Sequence, residues 1–430
     1  MVLIVQRMLN QLKERIMKYD VIIIGAGPAG LFSALSLEWK KILIIEKNKN
    51  AGKKLLISGA GQCNYTNSCE LNEFLNRYGG KGRLLKKALY NFTNMDAMGF
   101  FEKMGLKSMV RDDGKVFPIT LDSSDILNVL LRGVKENGAE IIYEEAAVKA
   151  EYDASKCMFT VKTNKSTYAG EKLIISAGGM SYPLTGSTGD GYLLAQGFGH
   201  KIVRPSEALT PVYVKDYCFK DLSGVSFEDI RVSQWRDGRK LKEFTGDFLF
   251  THVNISGPVI LNNSRYFEKG DILKINFTSY GNNEEFRMFL DELVSDSGGF
   301  GVASVLKRLN LPKRFIEKIM EIGNIDGETK CSQLHKEERR KLWELLSAHP
   351  FTVERLGGFN TAMVTKGGVA AEEINFKTME SKLQPNLYFA GEVIDYDGDT
   401  GGYNIQAAFS TGKLAADSIN KSRLEAASGC

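Results

Sequence analysis

Residues 19–30, Tyr19-Asp20-Val21-Ile22-Ile23-Ile24-Gly25-Ala26-Gly27-Pro28-Ala29-Gly30, decide the fold. Tyr19 to Ile24 is an apolar, β-branched run of the kind buried on both faces of a parallel sheet. From Gly30 to Trp39, Leu31, Ala34, Leu35 and Leu37 recur at helical spacing, and Lys41 to Ile45 is a second buried strand ending in Glu46. Strand, helix and strand within about thirty residues make one βαβ unit. In such a unit Gly25 permits the tight turn, Gly27 lets the backbone approach a pyrophosphate, and Gly30 lets the helix pack on the sheet. The helix N-terminus offers free N–H groups and the positive end of its dipole to phosphates. Glu46 is placed to accept hydrogen bonds from ribose hydroxyls. A lone glycine motif predicts little, but strand, turn, helix and acid in this order predict a dinucleotide site.

Outward from this unit, residues 84–106 and 122–137 read as helices, the second opening on the capping residues Asp122, Ser123 and Ser124. Residues 139–176 read as a meander of short strands, its last strand Lys172 to Ser176 running into Ala177-Gly178-Gly179. From about Pro205 short strands follow at 209–214, 230–234, 248–250 and 272–277, with a hairpin turn at Arg236-Asp237-Gly238. Residues 285–347 are a string of helices, and after Pro350 a glycine-rich strand-and-turn texture resumes. Residues 387–391 read as a strand and 402–419 as a helix.

A nicotinamide enzyme normally continues its parallel sheet after the first βαβ unit, whereas here a meander follows. Leu387-Tyr388-Phe389-Ala390-Gly391-Glu392 resembles the second FAD signature of the glutathione-reductase-like flavoproteins, and Ala177-Gly178-Gly179 resembles their Ala-Thr-Gly element. Three separated elements in the correct order point to FAD. Gly401-Gly402-Tyr403-Asn404-Ile405-Gln406 opens the last helix, whose N-terminal dipole is suited to negative charge on a reduced flavin ring.

The bulk numbers agree. A chain of 430 residues exceeds one ordinary domain, and 43% hydrophobic with 25% charged residues is a globular composition. A net charge of +4 implies no large nucleic-acid surface. Six scattered cysteines without a CxxC pair, and four dispersed histidines, argue against a metal site and for a reducing, cytoplasmic setting. Arg7, Lys13, Glu14 and Arg15 interrupt the apolar start long before membrane length, and no other run is long enough to span a membrane. Residues 1–16 read as a short amphipathic helix or as an over-reading of the start codon upstream of Met17, and we favour the second.

Longer motifs now resemble one bacterial family. They are Lys53 to Asn67 (KKLLISGAGQCNYTN), GGMSYPLTGSTGDGYLLAQGFGH (178–200), ISGPVILNNS (255–264), VTKGGVAAEEI (364–374), TMESK (378–382) and LYFAGEVIDYDGDTGGYNIQAAFSTG (387–412). From Met17 to about Asn420 the chain resembles the BaiN/RdsA-type NAD(P)/FAD-dependent oxidoreductases, also described as aminoacetone oxidase-like flavoproteins. The resemblance implies an α/β protein with a discontinuous, glutathione-reductase-like Rossmann FAD-binding domain (17–204 and 366–420). It also implies an inserted β-rich substrate domain (205–284 and 345–365), a helical subdomain (285–344), an N-terminal extension (1–16) and a tail (421–430). The cofactor-contacting set is expected to be Gly25, Gly27, Pro28, Ala29, Gly30, Glu46, Lys47, Lys54, Gly59, Asn64, Val148, Ala177, Gly178, Gly179, Gly391, Glu392, Gly402, Tyr403, Asn404 and Ile405. The chain departs from the family in having Gln62 where Arg is usual and Asn254 where a small residue, often Gly, is usual.

Cys63 and Cys69 lie where disulfide reductases of the wider superfamily carry a CxxxxC pair, but five residues separate them here, which favours two ordinary thiols. Asn64 and Thr66 are expected to contact the cofactor or to shape its loop. His252 and Tyr182 are the candidate catalytic residues: His252 as a proton donor at a strand end, Tyr182 with Ser181 beside the Ala-Gly-Gly turn. Both also admit purely structural readings. Basic residues of the helical segment alternate with glutamates at helical spacing, the pattern of a solvated face. Two redox directions stay open. One is an NAD(P)H-linked reductase of an activated C=C bond, with NAD(P)H bound transiently because the sequence has one GxGxxG unit; the other is an oxygen-dependent amine oxidase. An FAD-binding role in RNA modification, or a non-redox role, is the alternative from a different class. A small-molecule substrate, with neither nucleic acid nor membrane as partner, is the expected setting; oligomeric state is left open.

Overall fold

The computed structural model describes residues 17–281 and 283–428; the N-terminal extension 1–16 lies outside the described residues. Two compact units form, one from the chain up to residue 206 together with residues from 363 onward, the other from residues 207–362.

The first unit is built on a nine-stranded sheet. Five strands lie parallel, in the order Leu387–Phe389, Thr167–Ile175, Met17–Ile24, Ile42–Ile45, Glu140–Ile142. Register is unbroken across the centre, with Ile22 opposite both Leu43 and Leu173, and Leu173 in turn opposite Leu387. Val21, Ile22, Ile23, Leu43 and Ile44 are fully buried, as a sheet covered on both faces requires. The helices Pro28–Ser36 and Tyr403–Ser428 pack against each other, with Ser33 Oγ 3.1 Å from the Gly412 carbonyl.

Two expectations need correction in this unit. Glu140–Ile142 is a further parallel strand beside Ile42–Ile45, and only Ala147–Asp153, Met158–Thr163 and Thr167–Ile175 form the meander. An isolated three-residue strand carries too little alternation to reveal its direction. The helix expected over 84–106 is two helices, Gly82–Asn91 and Asn94–Lys103. Thr93 breaks it, because its hydroxyl accepts the Asp96 N–H while the Asp96 carboxylate accepts the Thr93 N–H, a capping box that starts a new helix.

The second unit is a closed six-stranded antiparallel barrel with a helical insert. Ser226–Arg236 and Arg239–Phe250 form its long hairpin, turning through Asp237 and Gly238, both at positive φ. The insert contributes the helices Asn283–Asp296, Val302–Leu306, Lys313–Gly323 and Lys336–Ser347. Barrel and insert share one core rich in phenylalanine: Phe219, Phe227, Phe248, Phe250, Phe277 and Phe315. Phe315 stands 4.6 Å from Phe277 and 4.8 Å from Phe227 between ring centroids, so the Lys313–Gly323 helix is pinned to the barrel.

At the start of strand Ile272–Asn276, the 1%-exposed Asp271 accepts hydrogen bonds from Arg236 Nε (2.6 Å), Gln234 Nε2 (2.7 Å) and the Glu268 N–H (2.9 Å). Burial pushes this carboxyl up, but the Arg236 guanidinium and the two N–H donors outweigh it and hold the group below its ordinary value. A depressed folded-state pKa gives stability that is complete above the unfolded value of about 4 and is lost as pH falls through the folded one. Asp271→Asn is therefore expected to lower stability by about 2 kcal/mol near neutral pH, Arg236 being partly solvated. The urea midpoints of variant and wild type should converge below the folded-state pKa; a gap that stays constant into strong acid overturns this account.

Candidate active site

The glycine turn leaves strand Met17–Ile24 and enters helix Pro28–Ser36. A Cβ on Gly30 would lie 2.0 Å from the Gly25 carbonyl oxygen, so only glycine lets the helix come this close to the turn. Gly27 is the opposite case: a Cβ there would meet nothing within 4 Å. Gly27 heads a helix that has no side-chain cap and no acid in its first turn. Open space before uncapped N–H groups is the environment that a pyrophosphate fits.

Glu46 ends the second strand and is buried. Its Oε2 accepts the Ala26 N–H at 2.9 Å, and its Oε1 accepts Asn48 N (2.8 Å) and Nδ2 (2.7 Å). The carboxylate is thereby locked against the glycine turn, and a carboxylate's remaining lone pairs can accept ribose hydroxyls. Asn48, which the sequence did not single out, also donates to the Thr185 carbonyl at 3.1 Å. Lys47 bridges to Thr188 and Asp190. Together Lys47 and Asn48 fasten the loop 182–190 to the end of the second strand. Val148 is 57% exposed at the start of its strand, an apolar side chain in the open.

The C-terminal segment meets this turn directly. A Cβ on Gly391 would lie 2.8 Å from Ala29 Cβ. Glu392, one of the expected cofactor-contacting residues, is ion-paired to Lys54 at 2.7 Å, and its second oxygen accepts the Thr365 N–H at 2.8 Å. It therefore brackets three distant segments. Thr365 Oγ1 accepts the N–H groups of Met180 (2.8 Å) and Ser181 (3.1 Å), which holds the Ala177-Gly178-Gly179 turn against them. Tyr182 follows, half-buried and at φ +54, a left-handed conformation uncommon for a tyrosine.

The loop 58–64 shapes itself. Gly59 and Ala60 are both left-handed, and Asn64 Oδ1 accepts the Val116 N–H at 3.2 Å. Thr66 is buried and donates to Gln406 Oε1 at 2.7 Å, which ties the loop to the last helix. At that helix Gly402 abuts the Thr66 carbonyl, and Tyr403 turns its ring into the core against Phe74. Asn404 closes the preceding loop through Gly398 and Asp399. Ile405 is half-buried. With the Tyr403 and Asn404 side chains engaged elsewhere, the backbone N–H groups of this helix start are what it can offer a ligand. Gln62, in the position where the family usually has Arg, accepts Arg111 Nη2 at 2.7 Å, and Arg111 lies 4.0 Å over Phe117. A guanidinium is thus present beside the loop, supplied from just past the strand Ser108–Val110.

Cys63 and Cys69 are both free. Burial pushes the Cys63 thiol up to about 12, which makes it a poor nucleophile. Cys69 lies 3.8 Å from the Tyr403 hydroxyl.

His252 belongs to the second unit. Its strand stops at Phe250, so it sits at the tip of a turn in which the Thr251 hydroxyl accepts the Asn254 N–H and donates to Asn254. There it is exposed and lines a cleft of about 540 Å³ with Lys220, Asp221, Ser223 and Arg314.

Fold and site define an FAD-dependent oxidoreductase. The HI0933-like protein Rossmann domain matches residues 19–418, and the chain belongs to that family. It is 30% identical to the ribosomal RNA dihydrouridine synthase of Escherichia coli, over 94% of this chain and 98% of that protein. It is also 32% identical to the Haemophilus influenzae protein of the same name, over 93% and 98%. A 3-dehydro-bile acid delta(4,6)-reductase of Clostridium scindens is 28% identical over 91% and 97%. The fold is shared with 3-ketosteroid delta1-dehydrogenase of Sterolibacterium denitrificans, with a TM-score of 0.52 and 11% identity over 94% of this chain and all of that one. Two relatives carry RNA in their names, which reopens the nucleic-acid partner that the charge balance argued against. Among the described residues no helix is long and apolar enough to cross a membrane.

Gly27→Val places a side chain in the open space before the turn. FAD affinity is expected to fall at least about 100-fold with little change in the melting of the apoprotein, because the new Cβ displaces nothing. Gly30→Ala should abolish soluble protein. Equal FAD retention by Gly27→Val and wild type would remove the glycine turn from the site. A native thiol titration at about pH 8 should leave Cys63 unmodified while the exposed Cys157 reacts.

Proposed function

We propose that this flavoprotein reduces a carbon–carbon double bond conjugated to a carbonyl, with NAD(P)H as a transiently bound reductant. The observation that supports the reading is that Glu46 locks the glycine turn through the Ala26 N–H while Gly391 abuts Ala29 beside it. The choice of reaction is supported by what the relatives' names share. A dihydrouridine is a uridine whose ring C=C has been saturated, and a delta(4,6)-reductase acts on C=C bonds; in both substrates the bond is conjugated to a carbonyl.

On this reading the chain contacts the cofactor through the expected set around Gly25–Gly30, Glu46 and the start of the last helix. FAD, when bound, supplies the hydride chemistry by which NAD(P)H is oxidised and one alkene carbon gains a hydride. The other alkene carbon takes a proton, and Tyr182 is our candidate donor. Tyr182 stands three residues past Gly179 at φ +54, a backbone conformation uncommon for tyrosine and of the kind enriched at functional sites. The substrate is a small enone or a uracil base of ribosomal RNA, the second class favoured by the names of the Escherichia coli and Haemophilus influenzae relatives.

The test mixes the yellow holoprotein anaerobically with NADH or NADPH, then with a 3-oxo-4-ene steroid or unmodified ribosomal RNA, and follows reoxidation. Fast reduction by a nicotinamide and fast reoxidation by either alkene are expected, with Tyr182→Phe slowing the alkene half-reaction about 10²-fold. Rapid oxygen turnover with aminoacetone, and no response to either alkene, would replace the reductase by an amine oxidase.

A further inference from the structure

The cleft of the second unit is built in a way that its barrel does not need. Lys220, His252 and Arg314 converge on it with the half-buried Ser223, and a single carboxylate, Asp221, lines the same space. Each of the three basic residues adjoins a buried phenylalanine. Lys220 follows Phe219, His252 lies two residues past Phe250, and Arg314 precedes Phe315. These rings contact one another: Phe219 stacks on Phe250 at 4.8 Å and 13°, and Phe250 lies 6.2 Å from Phe315. One aromatic stack therefore sets the spacing of three basic groups drawn from three separate stretches of chain.

The electrostatics point the same way. Helix Lys313–Gly323 opens on Lys313 and Arg314, with no side-chain cap and no acid in its first turn. Two cations at the positive end of a helix dipole destabilise it unless an anion joins them. Lys313 is drawn to Glu317 and Lys318 to Glu321, whereas Lys220 and Arg314 have no ion-pair partner among the described residues. The Tyr217 hydroxyl, donating to the Thr251 carbonyl at 2.6 Å, fixes the turn that presents His252. About 540 Å³ is within the range of nucleotide-sized ligand sites.

We propose that this cleft binds a phosphate group, with Lys220 and Arg314 as its charge partners, Ser223 as a hydroxyl donor and His252 as an imidazole N–H donor. The phosphate belongs to an RNA backbone or to a nicotinamide nucleotide.

The test uses holoprotein and three probes: a labelled RNA oligonucleotide of about twelve nucleotides, NADPH against NADH, and inorganic phosphate as competitor. Lys220→Ala/Arg314→Ala is compared with Lys307→Ala/Lys336→Ala, a charge-matched change at exposed positions of the same unit. Retained FAD colour and an unchanged melt establish that both variants are folded. If the phosphate is that of RNA, the cleft variant should bind the oligonucleotide at least about 10-fold more weakly, and its salt dependence should lose about 1.4 in slope for two contacts. If it is that of a nucleotide, NADPH binding should weaken by a similar factor while NADH changes less, and phosphate should compete. Equal effects of the two double variants, or no effect on any probe, overturn the proposal. Because these are binding measurements, they can succeed or fail independently of alkene turnover.

Discussion

Strand Thr167–Ile175 pairs in parallel with Met17–Ile24 on one side and Leu387–Phe389 on the other, and the site depends on that double pairing. It places the end of the last strand beside the end of the first, so Gly391 comes against Ala29 where the glycine turn begins its helix. Burial of these strands specifies their register, because a slip would move their apolar side chains out of place. The glycine turn is therefore met by a segment more than 360 residues further along the chain, Gly391 against Ala29.

Carboxylates carry much of the cross-linking. Glu46 locks the glycine turn to the second strand, and Glu392 joins Lys54 and Thr365 across the unit. Glu46 is buried and Glu392 partly so, and each accepts several charge-assisted or backbone hydrogen bonds, the condition under which a buried charge is tolerated. The acids expected to hold a ligand thus also hold the walls of its site. Removing either changes shape as well as contact.

Much of this was legible in the residues. The first βαβ unit, the acid at its end, the helical insert and the hairpin at Asp237-Gly238 each follow from short-range pattern or turn chemistry. What escaped was long-range. Barrel closure requires Val212–Val214 to meet His349–Leu356 across the whole insert, and neither strand announces its partner. The Lys54–Glu392 pair spans most of the chain, and Asn48 reads as an ordinary turn residue. Tyr403 and Asn404 were legible as a helix start, yet their side chains face the core and a loop, because neighbouring rings and carbonyls claim them. His252 was placed at a strand end, but the Thr251–Asn254 turn carries it past that end.

Interruption of the first unit by the second has a consequence for biosynthesis. As the chain leaves the ribosome, strand Thr167–Ile175 emerges long before Leu387–Phe389, and synthesis at about 5–20 residues per second makes the interval on the order of ten seconds or more. Throughout that time one edge of a strongly apolar sheet is open, and the barrel unit, residues 207–362, emerges within the same interval and is entire only near its end. The sheet that carries the glycine turn thus gains its Leu387–Phe389 strand only after the whole inner module has left the ribosome.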